Sequence, residues 1–150
     1  MVPTAWLRLL RAHSTMTREM DAHLLSRHGL TLSDYEVLLF LSWSSERRLR
    51  PVDLAQSVLL SQSGMTRLLN GLEGAGLIER VRSAADGRVV YAALTDSGME
   101  KLRQAATTHV GDIYGLFADR FSADELETLA ALLARLPGGD VTPRHDHPVG

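Results

Sequence analysis

The sequence predicts a mainly α-helical protein with a small β-wing, and three observations carry that prediction. Apolar residues recur at helical spacing along several stretches of the chain. Two short runs rich in β-branched and apolar residues, 77–81 and 89–94, are joined by Ser83-Ala84-Ala85-Asp86-Gly87, in which Asp-Gly is a strong hairpin signal. A short amphipathic stretch, 61–74, precedes that hairpin and is separated from it by the Gly74-Ala75-Gly76 turn. Helix, glycine turn and hairpin in that order suit a winged helix-turn-helix lobe over residues 31–95. The helical segments 1–30 and 96–136 read as a dimerisation region, and 137–150 as a tail.

Residues 5–28 read as one long helix, because Leu9, Leu10, His13, Met16, Thr17, Met20 and Leu24 share its spacing. Gly29 is its stop and Leu30 the apolar follower. Ser33-Asp34-Tyr35-Glu36 reads as a capping box that starts a second helix, running through residues 37–43. The near-continuous apolar character of that helix places it in the middle of the fold. Arg50-Pro51 opens a short third helix, with Val52, Leu54, Ala55 and Val58 on its buried side and Leu59-Leu60 as the connector. Ser61 caps the fourth helix, whose Met65, Leu68, Leu69 and Leu72 follow the i, i+3, i+4, i+7 rule.

Thr95 caps a long fifth helix with a coiled-coil-like seam of Met99, Leu102, Ala106, His109, Ile113 and Leu116. Ser122-Ala123-Asp124-Glu125 is a further capping box, and Leu126, Leu129, Leu133 and Leu136 repeat the pattern until Pro137 ends the sixth helix. The remaining residues are Pro/Gly-rich and polar, the composition of a disordered tail.

A chain of 150 residues is long enough for one domain with a real core. Its 45% hydrophobic and 23% charged residues are ordinary for a globular protein. With no secretory signal and no membrane-spanning run, a cytoplasmic location is expected. Zero cysteines exclude disulfides, thiol switches and sulfur-ligated zinc. A net charge of −2 argues weakly against a nucleic-acid partner, but the charge is unevenly placed. Residues 44–94 hold seven Arg against five acids, while residues 95–140 hold four basic side chains against eight acids.

On the fourth helix, the face opposite the apolar stripe carries Gln62, Ser63, Thr66, Arg67 and Asn70, beside the cap Ser61. An idle surface face usually carries Glu and Lys, which favour helix and solubility. These side chains are poorer helix formers, but Arg pairs with guanine, and Asn or Gln with adenine, in the major groove. The same face also fits a merely solvated surface. The hairpin tilts the choice toward double-stranded DNA: Arg82 and Arg88 flank its tip, as suits phosphate contact or insertion into a narrow minor groove. Asp86, two residues before Arg88, is placed to hold its guanidinium, either toward DNA or as a salt bridge internal to the turn.

The succession DLAQSVLLSQSGMTRLLNGLEGAGLIER, then DGR, then LTDSG resembles the MarR family of winged-helix transcriptional regulators over nearly all of residues 5–136. The resemblance implies a homodimer in which Gln62, Ser63, Thr66 and Arg67 face the major groove and Arg88, oriented by Asp86, enters the minor groove. The loop Ser83-Ala84-Ala85 is neutral where many members carry a basic run.

Helices one, five and six carry more apolar surface than the lobe can cover, which points to pairing with a second copy. A two-fold pair sets two recognition helices about one DNA turn apart, on a palindromic operator. The resemblance further implies a repressor released by a small aromatic or phenolic effector, bound between the dimer helices and the lobe. Trp6 and His13 share a face of helix one, with Arg11 and Tyr35 as further candidates. Interface packing for Trp6 and a satisfied polar group for His13 are the stronger readings of those two residues.

Two rival readings have less behind them. An enzyme lacks its motifs: GLEGAG at 71–76 is not the dinucleotide pattern, and there is no Gly-x-Ser-x-Gly elbow. No cofactor or metal is expected, although His145-Asp146-His147 is the one metal-like cluster. A winged-helix module that binds only proteins is disfavoured by the lack of acid between residues 62 and 70.

Overall fold

The computed structural model describes residues 1–58 and 60–140. Its elements run α1 (Val2–His28), α2 (Leu32–Trp43), a 3-10 turn (Ser45–Arg47), β1 (Arg48–Leu49), α3 (Pro51–Ser57), α4 (Gln62–Gly74), β2 (Ile78–Arg82), β3 (Val90–Leu94), α5 (Asp96–Ala118) and α6 (Ala123–Leu133). The fold is mainly helical with one small antiparallel sheet, as the sequence predicts. The sheet order is β1-β3-β2, with Ile78 opposite Leu94 and Arg82 opposite Val90. Two compact units are present among the described residues, the first ending at Ala105 and the second beginning at Ala106.

In the first unit α2 is the central element. It packs on α1, α3 and β3, and it buries Tyr35, Val37, Leu38 and Leu41 completely. Around it lie Leu24, Leu54, Met65, Leu69, Leu72, Ile78, Ala92 and Leu102. Each fully buried leucine contributes about 1.5–3 kcal/mol. Burial of Met65, Leu69 and Leu72 fixes the roll of α4 about its own axis, so its polar face is turned outward.

The second unit is the end of α5 with α6. Ser122 caps α6 through the expected box: its Oγ accepts the Glu125 N–H at 3.3 Å, and Glu125 returns the bond at 2.8 Å.

Several expectations shift in detail. α1 begins at Val2 rather than residue 5, because Pro3 fits a first helical turn. α2 is capped by Thr31, not Ser33: Thr31 and Asp34 exchange bonds of 3.0 and 2.9 Å, and Asp21 of α1 accepts the Leu32 N–H at 2.7 Å. Ser33 therefore sits inside the first turn. β1 and the 3-10 turn were not foreseen, since two residues carry no period. That turn holds Glu46 and Arg47 at φ 55° and 53°, left-handed conformations without a glycine. In the short α3, Leu54 and Ala55 are buried but Val52 is exposed. The helical bonding of α6 gives way after Leu133 to i→i+3 turns, so Leu136 lies past its end, ahead of Pro137. Leu59 and residues 141–150, which include His145-Asp146-His147 and most of the expected tail, lie outside the described residues.

The sheet joins α5 at Thr95. Its N–H donates to Leu77 O at 3.1 Å, its hydroxyl donates to Gly76 O at 2.7 Å, and the same hydroxyl accepts the Gly98 N–H at 3.0 Å. Gly98 is obligatory here because a Cβ would lie 2.0 Å from Leu77 O and 2.7 Å from Leu94 Cδ1. Gly98→Ala is expected to lower stability by about 1–3 kcal/mol through overpacking. A urea midpoint unchanged from the parent chain contradicts that contact.

Candidate nucleic-acid interface

The face of α4 away from the core presents Gln62, Ser63, Thr66, Arg67 and Asn70, all exposed. Ser61 starts the helix by accepting the Gly64 N–H at 3.2 Å, and its Oγ lies 3.2 Å from Ser63 Oγ. Thr66 donates its hydroxyl to Gln62 O at 2.9 Å, leaving the oxygen as an acceptor. Asn70 is engaged from outside the helix: Arg80 of β2 donates from Nη2 to Asn70 Oδ1 at 3.2 Å, and Arg80 Nε lies 3.5 Å from Glu73 Oε2. The only carboxylate of this helix thus carries a cation beside it.

The wing tip is braced by its own backbone. Ser83 N–H donates to Val89 O at 2.9 Å and Val89 N–H to Asp86 O at 3.0 Å. Ser83 Oγ accepts the N–H groups of Ala85 and Asp86 at 3.2 and 3.3 Å. Arg82 turns inward and donates from Nη1 to Gly87 O at 2.9 Å. Asp86 holds Arg88 by the main chain, its Oδ1 accepting the Arg88 N–H at 3.0 Å. The expected grip of Asp86 on the Arg88 guanidinium is not made, because the carboxylate closes the turn instead.

The arginines of residues 44–94 now separate into two groups. Arg47 lies 3.7 Å from Asp96, Arg48 pairs with Glu46 and stacks 4.6 Å over the Tyr91 ring, and Arg50 pairs with Asp53 at 2.9 Å. Arg80 and Arg82 are engaged as above. Among the described residues, Arg67 and Arg88 alone of the seven have no ion-pair or hydrogen-bond partner for the guanidinium. Sequence reasoning placed both in the interface. It missed Arg80, because nothing local links a strand residue to a helix side chain ten positions earlier.

The residues singled out for an effector are not gathered together. Trp6, Arg11 and His13 lie on the exposed first half of α1, whereas Tyr35 is a core residue at 1% exposure. Burial pushes the Tyr35 phenol up to about 12. A cavity of about 500 Å³ lies elsewhere in the first unit, lined by His28, Asp34, Arg67, Leu68, Leu77 and Lys101 among others. Burial holds the His28 imidazole below its usual range, with Lys101, Arg27 and His23 acting in the same direction. Among the described residues no group of three side chains has the makings of a metal site, and no helix is long and apolar enough to cross a membrane.

A sequence profile of the MarR family matches residues 28–89, the span from the end of α1 through the wing. The chain is 32% identical to AbsC, a MarR family transcriptional regulator from Streptomyces coelicolor, over 87% of this chain and 88% of that one, with a TM-score of 0.77. It is 27% identical to Sco3205, a MarR family transcriptional regulator of the same organism solved in complex with DNA, over 97% of this chain and 91% of that one, with a TM-score of 0.81. The HTH-type transcriptional regulator YwhA of Bacillus subtilis is 38% identical over 84 residues, which span 56% of this chain and 60% of YwhA.

Arg88 contributes no side-chain bond to the tip, so Arg88→Ala is expected to change stability by no more than about 0.5 kcal/mol. A larger fall in the urea midpoint would show that the guanidinium holds the turn together.

Proposed function

This chain belongs to the MarR family of DNA-binding transcriptional regulators, and from that premise we propose that it is a homodimeric repressor of a palindromic operator, released by a small acidic aromatic effector. In this reading α4 enters the major groove with Gln62, Ser63, Thr66, Arg67 and Asn70, while Arg88 at the wing tip enters the minor groove. The observation that carries it is the partition of arginines: of the seven in 44–94, the two left without partners among the described residues are one on the α4 face and one at the wing tip. Ser61, Arg82 and Asp86 serve the interface indirectly, by starting α4 and holding the tip.

Exposed apolar surface supports the homodimer. Trp6, Leu7 and Leu10 on α1 are 59%, 52% and 44% exposed, and Leu132 at the end of α6 is 52% exposed. Stretches of this kind mark interfaces in soluble proteins. Two-fold pairing then presents two copies of α4 to successive turns of the duplex. Residues 1–30 and 96–136 supply the pairing surfaces, and 31–95 the reading lobe.

For the effector we favour the cavity beside Arg67 over the exposed α1 residues. Its volume lies within the range of about 300–1,000 Å³ usual for small-molecule sites. Lys101 and Arg67 offer positive charge beside leucine side chains, and the Asp34 carboxylate in its wall is engaged in capping α2. An aromatic carboxylate held there draws Arg67 away from DNA.

Gel shifts of the full chain on DNA from upstream of its own gene test the proposal. Binding is expected as two protomers per site, with affinity falling steeply as salt rises because phosphate contacts release counterions. Arg67→Ala should weaken operator binding by about 1–3 kcal/mol while affecting random DNA far less. A salicylate-like acid from a panel should release the complex. Equal losses on both DNAs move Arg67 to a phosphate role, one protomer per site removes the dimer, and no response to any acid removes the effector.

A further inference from the structure

The bridge from Arg80 to α4 has a consequence for which base the helix prefers. An arginine side chain has donors only, so the atom of Asn70 facing Arg80 is the oxygen, at 3.2 Å. That sets the orientation of the amide: its NH2 group is turned the other way and remains available. Glu73, 3.5 Å from Arg80 Nε, holds the guanidinium from a second side and restrains where the bridge sits. An unrestrained asparagine pairs with adenine through both amide atoms, accepting from N6 and donating to N7. Here Arg80 takes one of the two lone pairs of the accepting atom, and the guanidinium N–H donors beside the other disfavour the adenine amino group and favour the O6 oxygen of guanine. The donor half that remains suits the O6 and N7 acceptors of guanine.

We infer that Arg80 is a positioning residue that switches the base preference of Asn70 from adenine to guanine. The inference rests on α4 lying in the major groove, and it names a specificity determinant that makes no DNA contact of its own. Neither Arg80 nor the wing has to move. The selection comes from an interaction already formed in the free protein.

The test uses the full chain and a set of operators carrying each base in turn at every half-site position, compared by competition binding. Asn70→Ala identifies the position read by Asn70. There the parent chain is expected to prefer guanine over adenine by about tenfold. Arg80→Met, made together with Glu73→Gln so that no carboxylate is left unpaired, should reverse that order. Arg80→Lys, which keeps a donor near Oδ1, should preserve it. Asn70→Asp keeps a partner for Arg80 but has no donor, so it should lose the guanine preference with the fold intact.

A profile that responds to Arg67→Ala but is unchanged by the Arg80→Met, Glu73→Gln pair overturns the inference and leaves the major-groove reading standing. A uniform loss of affinity in that double variant without a change of base order does the same. A profile unchanged by Arg67→Ala, Asn70→Ala and the double variant alike overturns the major-groove reading itself.

Discussion

Three hydrogen bonds converge on Thr95, and the placement of the wing beside α4 depends on them. Its N–H and hydroxyl donate to Leu77 and Gly76 in the turn after α4, and the same hydroxyl accepts from Gly98 in the first turn of α5. The end of α4, the base of the wing and the start of α5 are therefore anchored at one residue. Gly98 lets the backbones approach closely enough for those bonds to form. Without this junction α4 would still bury Met65, Leu69 and Leu72. The angle at which the hairpin leaves it would then rest on the Arg80 bridge to Asn70 and Glu73 and on the bond from Leu77 N–H to Leu72 O.

Charge is distributed by the same logic of engagement. A net charge of −2 gives little hint of a nucleic-acid partner, and even the arginine-rich middle of the chain is nearly balanced by acids. The fold resolves this by pairing. Acids at 46, 53, 73 and 96 sit against Arg48, Arg50, Arg80 and Arg47. These exposed pairs contribute little to stability, about 0–1 kcal/mol each. Their effect is to leave Arg67, Arg82 and Arg88, among the described residues of 44–94, without an acidic partner, one on α4 and two on the wing, where Arg82 donates to the Gly87 carbonyl.

The elements that were legible in the sequence are those fixed by neighbours within four residues. The caps at Ser61, Thr95 and Ser122, the glycine stops and the Asp-Gly tip all satisfy local donors or local φ requirements. The apolar stripe of α4 is equally local, and from it the outward face follows. The start of α2 was misread because Thr31 and Ser33 both suit a cap, and the choice is made by Asp21, eleven residues before the N–H it accepts. β1 escaped notice because a two-residue strand exists only through its partner β3. The same limit hid Arg80, whose role depends on β2 lying beside α4. Tyr35 reads from sequence as a further candidate for the effector region; only the packing of the whole unit shows it inside the core.

The hairpin tip closes on itself through Ser83, Asp86 and Arg82 before any partner arrives. Freezing a flexible loop residue removes about 1–2 kcal/mol of backbone entropy, and in a mobile arm that loss would be subtracted from affinity at every encounter. In this chain it is already incurred when the protein folds. In the proposed interface what remains to be ordered on contact is the Arg88 side chain, so the tip comes to DNA preorganised, as a braced finger with one movable end.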